Sequence, residues 1–308
     1  MQDYFDVVII GAGPAGLAAA IYTSRRGLST LLFEESIVGG RAAYAHSIEN
    51  YPGFPDGISG NELVARFLAQ AKKFGSVLKP GEAVINLNIS DDVKEVMAQS
   101  GKHTSKALVV TTGLKQKKLK VLGEEKFLGR GVSYCATCDG FFFKNRKVIV
   151  LGGGNEATSD IVYLSSLTKN IRWIPNTEKI TADEVYLNKL AEMGIVPEDG
   201  SKVVEVFGEN RVQGIKLEKP DGSTLTYEAD GLFIAIGTVP TVDILKKAGL
   251  NIDDMNYVMV NDNMETNIQG VFAAGDCTGK SHQVAVAVGQ GALAGINASD
   301  YVKMKKRK

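Results

Sequence analysis

Cysteine and histidine occur only three times each among 308 residues, and tryptophan once. Three cysteines cannot build a disulfide framework, which excludes a small secreted, stapled domain. His46, His103 and His282 stand apart from one another and from any cysteine at ligand spacing. A four-ligand zinc centre therefore lacks its raw material. Charge of one sign is also missing: 35 basic and 35 acidic residues cancel to a formal net charge of +0. That excludes a basic surface spread over the whole molecule, and no nucleic-acid partner is expected. Long hydrophobic runs are absent too. The uncharged stretch 7–22 is broken by Gly11, Gly13, Pro14 and Gly16, and residues 1–6 hold two acids and no Lys or Arg. It reads neither as a secretion signal nor as a membrane span, so a cytoplasmic protein without a membrane partner is expected.

What the chain does have is glycine: 34 residues, about 11% against a usual level of roughly 7%. With only 8 prolines and no repeats, this excess is neither collagen-like nor a linker, and it gathers in short clusters. The run Asp-Val-Val-Ile-Ile at 6–10 predicts a buried parallel strand. Gly11-Ala12-Gly13-Pro14-Ala15-Gly16 follows, then an alanine-rich helix to Arg26, then a strand over 29–33 that ends at Glu34 and Glu35. In G-x-G-x-x-G the first glycine permits the tight turn, the second lets backbone approach a pyrophosphate, and the third lets helix and strand pack closely. The phosphates meet the positive helix N-terminus, and Glu34 can accept hydrogen bonds from ribose hydroxyls.

A second unit of the same type begins with a strand over 148–151, followed by Gly152-Gly153-Gly154-Asn155-Glu156-Ala157 and a helix to about Leu167. The position that corresponds to Glu34 is Pro175. The fold class is therefore α/β, with two Rossmann-like dinucleotide-binding domains. Between the loops, 60–74 has helical periodicity, and 85–99 alternates like strands of a small sheet. Apolar strands are expected at 107–112, ending in Thr112-Gly113, at 231–236, and at 271–274, ending in Gly275-Asp276. A Gly/Ala-rich helix is expected over 283–299, with the basic tail 303–308 as a solvated, disordered end.

The chemistry lies in Cys135-Ala136-Thr137-Cys138-Asp139. Two thiols at this spacing near a βαβ unit can close a small disulfide ring and exchange it. Two zinc ligands, or a purely structural disulfide, are the competing readings. Asp139 could hand a proton to a departing thiolate, or simply cap a helix. Cys277 reads as a small buried residue.

Here the chain resembles a family. The stretch Gly129-Arg-Gly-Val-Ser-Tyr-Cys135-Ala-Thr-Cys138-Asp-Gly-Phe-Phe-Phe143 is similar to the active-site segment of low-molecular-weight thioredoxin reductases. These are the class II FAD-dependent pyridine nucleotide-disulfide oxidoreductases. The likeness runs through Gly39-Gly40-Arg41, Glu49-Asn50-Tyr51-Pro52-Gly53, Thr112-Gly113, Thr266-Asn267, Gly275-Asp276 and His282-Gln283-Val284, essentially the whole chain. It implies two Rossmann-like domains of three-layer ββα type. A discontinuous FAD domain would comprise 1–115 and 246–308, and the inserted domain 116–245 would carry the C-x-x-C. FAD would lie on Gly11, Gly13, Pro14, Ala15, Gly16, Glu34, Glu35 and Val84, and on Thr112, Gly113 and Gly275. Its flavin end would meet Gly40, Arg41, Asn50, Asp276, His282, Gln283 and Val284, with the helix that starts near Gln283 aimed at the ring. Cys138 would be the sulfur nearer the flavin, Cys135 the one that attacks a thioredoxin-like partner, and Asp139 the acid/base. Arg130 and Phe141 to Phe143 match partner-facing positions, although a core role for some of these aromatics competes. A homodimer is implied.

One departure matters. Members that use NADPH carry a His-Arg-Arg…Arg run after the second strand of the inserted domain. This chain has Pro175-Asn176-Thr177-Glu178-Lys179-Ile180-Thr181 there. Losing two or three charge-assisted hydrogen bonds weakens NADPH by about 3–6 kcal/mol, on the order of 10²–10⁴-fold. The loop at Gly152, Gly154 and Asn155 is then a vestige. Relatives with such losses take electrons from reduced ferredoxin or a deazaflavin, and these are the expected donors, with NADPH or NADH as the alternative. Lys115, Lys117, Lys118 and Lys120 are either a solvated face or a dock for an acidic electron carrier. Two other classes compete. One is a ferredoxin–NADP reductase of similar fold, which lacks a C-x-x-C; the other is a non-catalytic flavin-binding module.

Overall fold

The computed structural model describes residues 4–89, 92–176, 179–198 and 201–306. The first half runs β1 (Tyr4–Ile10), α1 (Pro14–Arg25), β2 (Thr30–Glu34), α2 (Gly60–Lys73), β3 (Val77–Pro80), β4 (Val84–Asn88), β5 (Lys94–Ala98), β6 (Gly101–Val110), β7 (Leu114–Gln116), β8 (Val132–Ser133), α3 (Ala136–Asp139) and β9 (Val148–Leu151). It continues with α4 (Asn155–Ser165), β10 (Ile171–Ile174), α5 (Glu184–Glu192), β11 (Lys202–Gly208), β12 (Val212–Glu218), β13 (Thr224–Glu228), β14 (Gly231–Ile234), β15 (Thr238–Pro240), α6 (Asp243–Lys247), β16 (Val271–Ala273) and α7 (Val284–Lys306).

The chain divides into two units, 1–115 with 240–308, and 116–239. The second boundary falls at Pro240, ahead of the expected 246. The reason is α6, whose Leu245, with Val242 before it, is buried in the core of the first unit. The short strands β7 and β15 pair with each other where the chain passes between units.

In the first unit the sheet order is β3-β2-β1-β6-β5-β4, with β16 on β6. The pairs β3–β2, β2–β1, β1–β6 and β6–β16 are parallel, and β5 and β4 continue the sheet antiparallel. Successive side chains of a strand point to opposite faces. Val7 and Ile9 accordingly enter one core with Leu17, Val64 and Ala294 from the helices, whereas Phe5, Val8 and Ile10 enter another with Leu87, Val96 and Leu245. The second unit repeats the plan. Strands β10-β9-β14-β8 form a parallel sheet. Ile149 and Leu151 face the antiparallel β11–β13 meander, and Val148 and Val150 face α4 and α5.

Small residues bring α7 onto α1. A Cβ on Gly291 would lie 2.1 Å from the Ala15 carbonyl oxygen, and one on Gly295 would lie 2.7 Å from that of Ala19. This contact seats the first nucleotide loop. The basic tail departs from expectation: residues 303–306 continue α7, and Arg307 and Lys308 lie outside the described residues. Buried Val302 anchors that turn. Lys305 pairs with Asp92 and Lys306 with Asp6, each at 2.7 Å. Cations in a last helical turn also suit the helix dipole. Among the described residues, no helix is long and apolar enough to cross a membrane.

Candidate active site and nucleotide loops

The first loop is built by strand–turn–helix geometry. Gly11 has φ +100, and a Cβ there would strike the Thr111 carbonyl oxygen at 2.3 Å. A Cβ on Gly16 would strike the Gly11 carbonyl oxygen at 1.9 Å. These two glycines are packing requirements. Gly13 differs, since among the described residues nothing lies within 4 Å of a Cβ built on it. It is the N-cap of α1, with Pro14 in the first helical position, no side-chain cap and no acid in the first turn. Open space before an uncapped helix N-terminus fits a pyrophosphate. Glu34, at the end of β2, accepts from Ala12 N and Ser36 N, both at 2.8 Å, which fixes its carboxylate beside the loop.

Other expected residues of this unit gather around the loop. A Cβ on Gly40 would sit 3.7 Å from Gly13 Cα, and one on Gly275 would sit 2.8 Å from Ala15 Cβ. Gly113, at φ +60, also faces open space, directly after Thr112. Arg41 Nη1 lies 3.8 Å from Asp276 Oδ2. Burial raises the Asp276 carboxyl above its ordinary value, opposed by His282 and Arg41. Asn50 Nδ2 donates to Gln283 Oε1 at 3.0 Å, directly before Val284 opens α7. Glu35 stands apart: it is exposed and pairs with Lys115 at 3.4 Å. Val84 begins β4 opposite Ala98, two residues after Glu82 N donates to the Glu34 carbonyl at 2.8 Å. Sequence reasoning missed Gln290, whose Oε1 accepts from Gly275 N at 2.8 Å and so holds the Gly275-Asp276 turn against α7. A lone glutamine in a Gly/Ala-rich helix was the available signal.

In the second unit, Cys135 and Cys138 form a disulfide with Cα atoms 5.3 Å apart. Cys135 is the N-cap of α3, and its Sγ accepts from Cys138 N at 3.2 Å. Cys138 is exposed and Cys135 half-buried. Ser133 was not singled out from sequence, yet it organises the motif. Its hydroxyl accepts from Cys135 N at 3.0 Å and donates to Asp139 Oδ2 at 2.6 Å. Asp139 thus ends α3 with its carboxylate tied back toward the first cysteine. Phe141 and Phe142 are 67% and 74% exposed, whereas Phe143 packs edge-on against Phe233 at 5.3 Å. The aromatic run therefore splits between surface and core. Cys277 is fully buried in the other unit. Among the described residues, no three His, Cys, Asp or Glu side chains are grouped to hold a metal.

The second loop has the same backbone plan with different surroundings. Gly152 has φ +135, and a Cβ there would strike the Ala235 carbonyl oxygen at 2.0 Å. Where Gly13 has open space, a Cβ on Gly154 would meet Thr181 Oγ1 at 3.6 Å. Thr181 N and Ala182 N both donate to the Gly153 carbonyl, at 2.8 and 3.1 Å. Asn155 and Asp183 clasp each other: Asn155 Nδ2 donates to Asp183 Oδ2 and Asp183 N donates to Asn155 Oδ1, each at 2.7 Å. Asn176 is a structural residue, with φ 51 and an Oδ1 that accepts from Val203 N at 3.1 Å. Thr177 and Glu178 lie outside the described residues.

Two dinucleotide-type loops and a redox disulfide define a flavin-class disulfide oxidoreductase, and comparison with known proteins agrees. The family model for pyridine nucleotide-disulphide oxidoreductases matches residues 5–291. A thioredoxin reductase of Listeria monocytogenes is 41% identical, over 99% of this chain and 96% of that protein. The crystal structure of the Lactococcus lactis thioredoxin reductase superposes with a TM-score of 0.91 at 32% identity, covering 97% of this chain and 99% of that one. A ferredoxin-flavin thioredoxin reductase from Clostridium acetobutylicum is 30% identical over 100% of both chains, with a TM-score of 0.55. The chain belongs to the pyridine nucleotide-disulphide oxidoreductase family, among its low-molecular-weight, FAD-dependent thioredoxin reductases.

Proposed function

We propose that this enzyme passes electrons from a donor other than NADPH, through FAD, to the Cys135–Cys138 disulfide and on to a thioredoxin-like protein. Reduced ferredoxin or a reduced deazaflavin is the donor, the enzyme works as a homodimer, and its compartment is the cytoplasm. The observation that carries the reading is the closed Cys135–Cys138 disulfide at the start of α3. The donor assignment rests on Pro175, Asn176, Thr177 and Thr181, which stand where NADPH users keep a basic residue cluster.

FAD would be held by the Gly11–Gly16 loop, Glu34, Gly40, Arg41, Asn50, Asp276 and Gln283. The chemistry supplied by bound FAD is the electron pair that opens the disulfide. The protein's own residues do the rest. Cys135, whose Sγ accepts from Cys138 N at the helix start, attacks as the thiolate one sulfur of the partner's disulfide. A mixed disulfide forms and one partner thiolate leaves. Cys138 thiolate then attacks Cys135 Sγ, which re-forms the internal disulfide and releases the second partner thiolate. Asp139, oriented by Ser133, supplies protons to leaving thiolates. Exposed Phe141 and Phe142, with Arg130 before the motif, suit a transient partner surface. The exposed Lys115, Lys117, Lys118 and Lys120 suit docking of an acidic carrier.

Anaerobic titration tests the disulfide: a coupled flavin and disulfide take up four electrons per FAD, a bare flavoprotein two. Stopped-flow reduction with NADPH, NADH, reduced ferredoxin and reduced deazaflavin in parallel tests the donor. Rapid flavin reduction with a low-micromolar KM for NADPH would falsify that part.

A further inference from the structure

Both glycine loops lead into helices whose N-termini point their positive ends at the loop, but the two first turns differ in charge. The first turn of α1 holds no acid, and that of α4 holds Glu156, its second residue. The Glu156 carboxylate is held in place within that first turn. Gln116 Nε2, from the strand that enters the second unit, donates to Glu156 Oε1 at 2.6 Å. The Gln116 Oε1 atom is itself buried and has no hydrogen-bond partner among the described residues. One turn further along the same helix face stands Asp160. Thr181 Oγ1 stands 3.6 Å from a Cβ on Gly154, in contact with a position that stays open at Gly13. The helix terminus that would attract a dinucleotide's pyrophosphate therefore already carries a carboxylate of its own chain.

We infer that Glu156, held by Gln116, makes the second loop reject pyrophosphate itself, so that NADH is excluded together with NADPH. The inference rests on the proposed reading of the donor and deepens it. Loss of a 2′-phosphate clamp discriminates only against NADPH, whereas a carboxylate at the helix N-terminus acts on the part both nucleotides share. Two pyrophosphate charges brought beside a fixed carboxylate meet repulsion that the helix dipole no longer offsets. Glu156 is thus a specificity-determining residue, and removing its charge should raise the affinity for both nucleotides equally.

The test uses the FAD-loaded enzyme and measures NAD⁺ and NADP⁺ binding by calorimetry at low ionic strength, for wild type, Glu156→Gln and Glu156→Thr. Two replacements of different length guard against one that misfolds, and the flavin spectrum with dithionite reduction checks both. The expected result is no wild-type binding tighter than millimolar, and a gain of about ten- to hundredfold for both nucleotides in both variants, equivalent to about 1.4–2.8 kcal/mol. Micromolar NAD⁺ binding by the wild type would overturn the inference. So would intact variants that gain nothing, or that gain for NADP⁺ alone. NADH reduction without NADPH reduction sinks this inference and leaves the missing 2′-phosphate clamp standing. A wild type that neither binds nucleotide nor accepts electrons from ferredoxin or deazaflavin sinks the donor reading and leaves this one.

Discussion

Tyr134, the residue before Cys135, donates its phenolic hydrogen bond to Oε1 of Glu124. The same carboxylate, only 3% exposed, accepts from the backbone N–H groups of Leu119 at 3.1 Å, Val121 at 3.4 Å and Lys120. Burial alone would raise the Glu124 carboxyl. The Tyr134 and backbone hydrogen bonds outweigh it and hold the group below its ordinary range. Burial and Glu124 push the Tyr134 phenol up, so it stays a donor. One buried acid thus ties the turn that enters the second unit to the strand before the redox cysteines. Glu124→Ala strands a phenol and three N–H groups, and should cost about 3 kcal/mol or more. Tyr134→Phe should cost about 1 kcal/mol. Urea unfolding followed by Trp173 checks both, because the chain's single tryptophan is buried in this unit. Equal stabilities for wild type and Glu124→Ala would show that the cluster is ornamental.

The proposed cysteine roles are separable by trapping. Cys138→Ser leaves Cys135 able to attack but removes the thiol that resolves the mixed disulfide. This variant should accumulate a covalent complex with oxidised thioredoxin once reduced, visible on a non-reducing gel. Cys135→Ser should trap nothing, and neither variant should turn over thioredoxin. A complex formed by Cys135→Ser alone reverses the two roles.

The core of each unit was legible because its strands are apolar on both faces, as Val7 to Ile10 and Val148 to Leu151 are. Glycine loops and the C-x-x-C carry fixed spacings, so they were legible too. What escaped was structure set by distant partners. The meander β11–β13 is short and partly polar, and it makes sense as strands only once Val203, Ile215 and Leu217 find Ile149 and Leu151. Ser133 and Gln290 carry no motif, and their roles come from hydrogen bonds visible only in three dimensions. The basic tail misled because charge read locally says solvent, while Asp6 and Asp92 wait far away in sequence. Pro240 rather than 246 bounds the insert because the burial of Leu245 cannot be assigned to either core from sequence.

Cys277 should be chemically silent. Burial pushes its thiol up to about 11, and Sγ lies 3.3 Å from the Ala274 carbonyl oxygen. A thiolate is the reactive form, so little is available near neutral pH. Oxidised native enzyme should give no fast reaction with a thiol-specific disulfide reagent, and one thiol per chain after denaturation without reductant. Prompt native labelling at this residue would contradict its burial.

Restoring cations beside the second loop carries a structural cost at Asn176. Its φ of 51 is left-handed, and its side chain accepts from Val203 N. Asn176→Arg loses that bond and strains the backbone, by about 1–2 kcal/mol together. Thr177→Arg should therefore improve NADPH use with less loss of stability than Asn176→Arg. Steady-state KM for NADPH alongside Tm for the two variants decides it, and an Asn176→Arg enzyme as stable as wild type would argue against a structural role for Asn176.

Asp160 makes stability depend on pH in a direction opposite to most carboxylates. Burial, with a further contribution from Glu156, raises its carboxyl from 3.8 to about 8. The native state therefore keeps a proton that the unfolded chain releases above about pH 4. Between those values the unfolded state binds fewer protons, so this group's contribution to stability falls as pH rises and levels off above about pH 8. Asp160→Asn stays neutral at nearly the same size. It should flatten that slope and raise stability above pH 8 by about 1–3 kcal/mol, with little change near pH 4. Glu156→Gln should recover only part of the effect, because Glu156 is the smaller cause. Thermal unfolding of the three proteins from pH 5 to 9 measures this directly. A wild-type slope that Asp160→Asn leaves unchanged would place the pH dependence elsewhere in the chain.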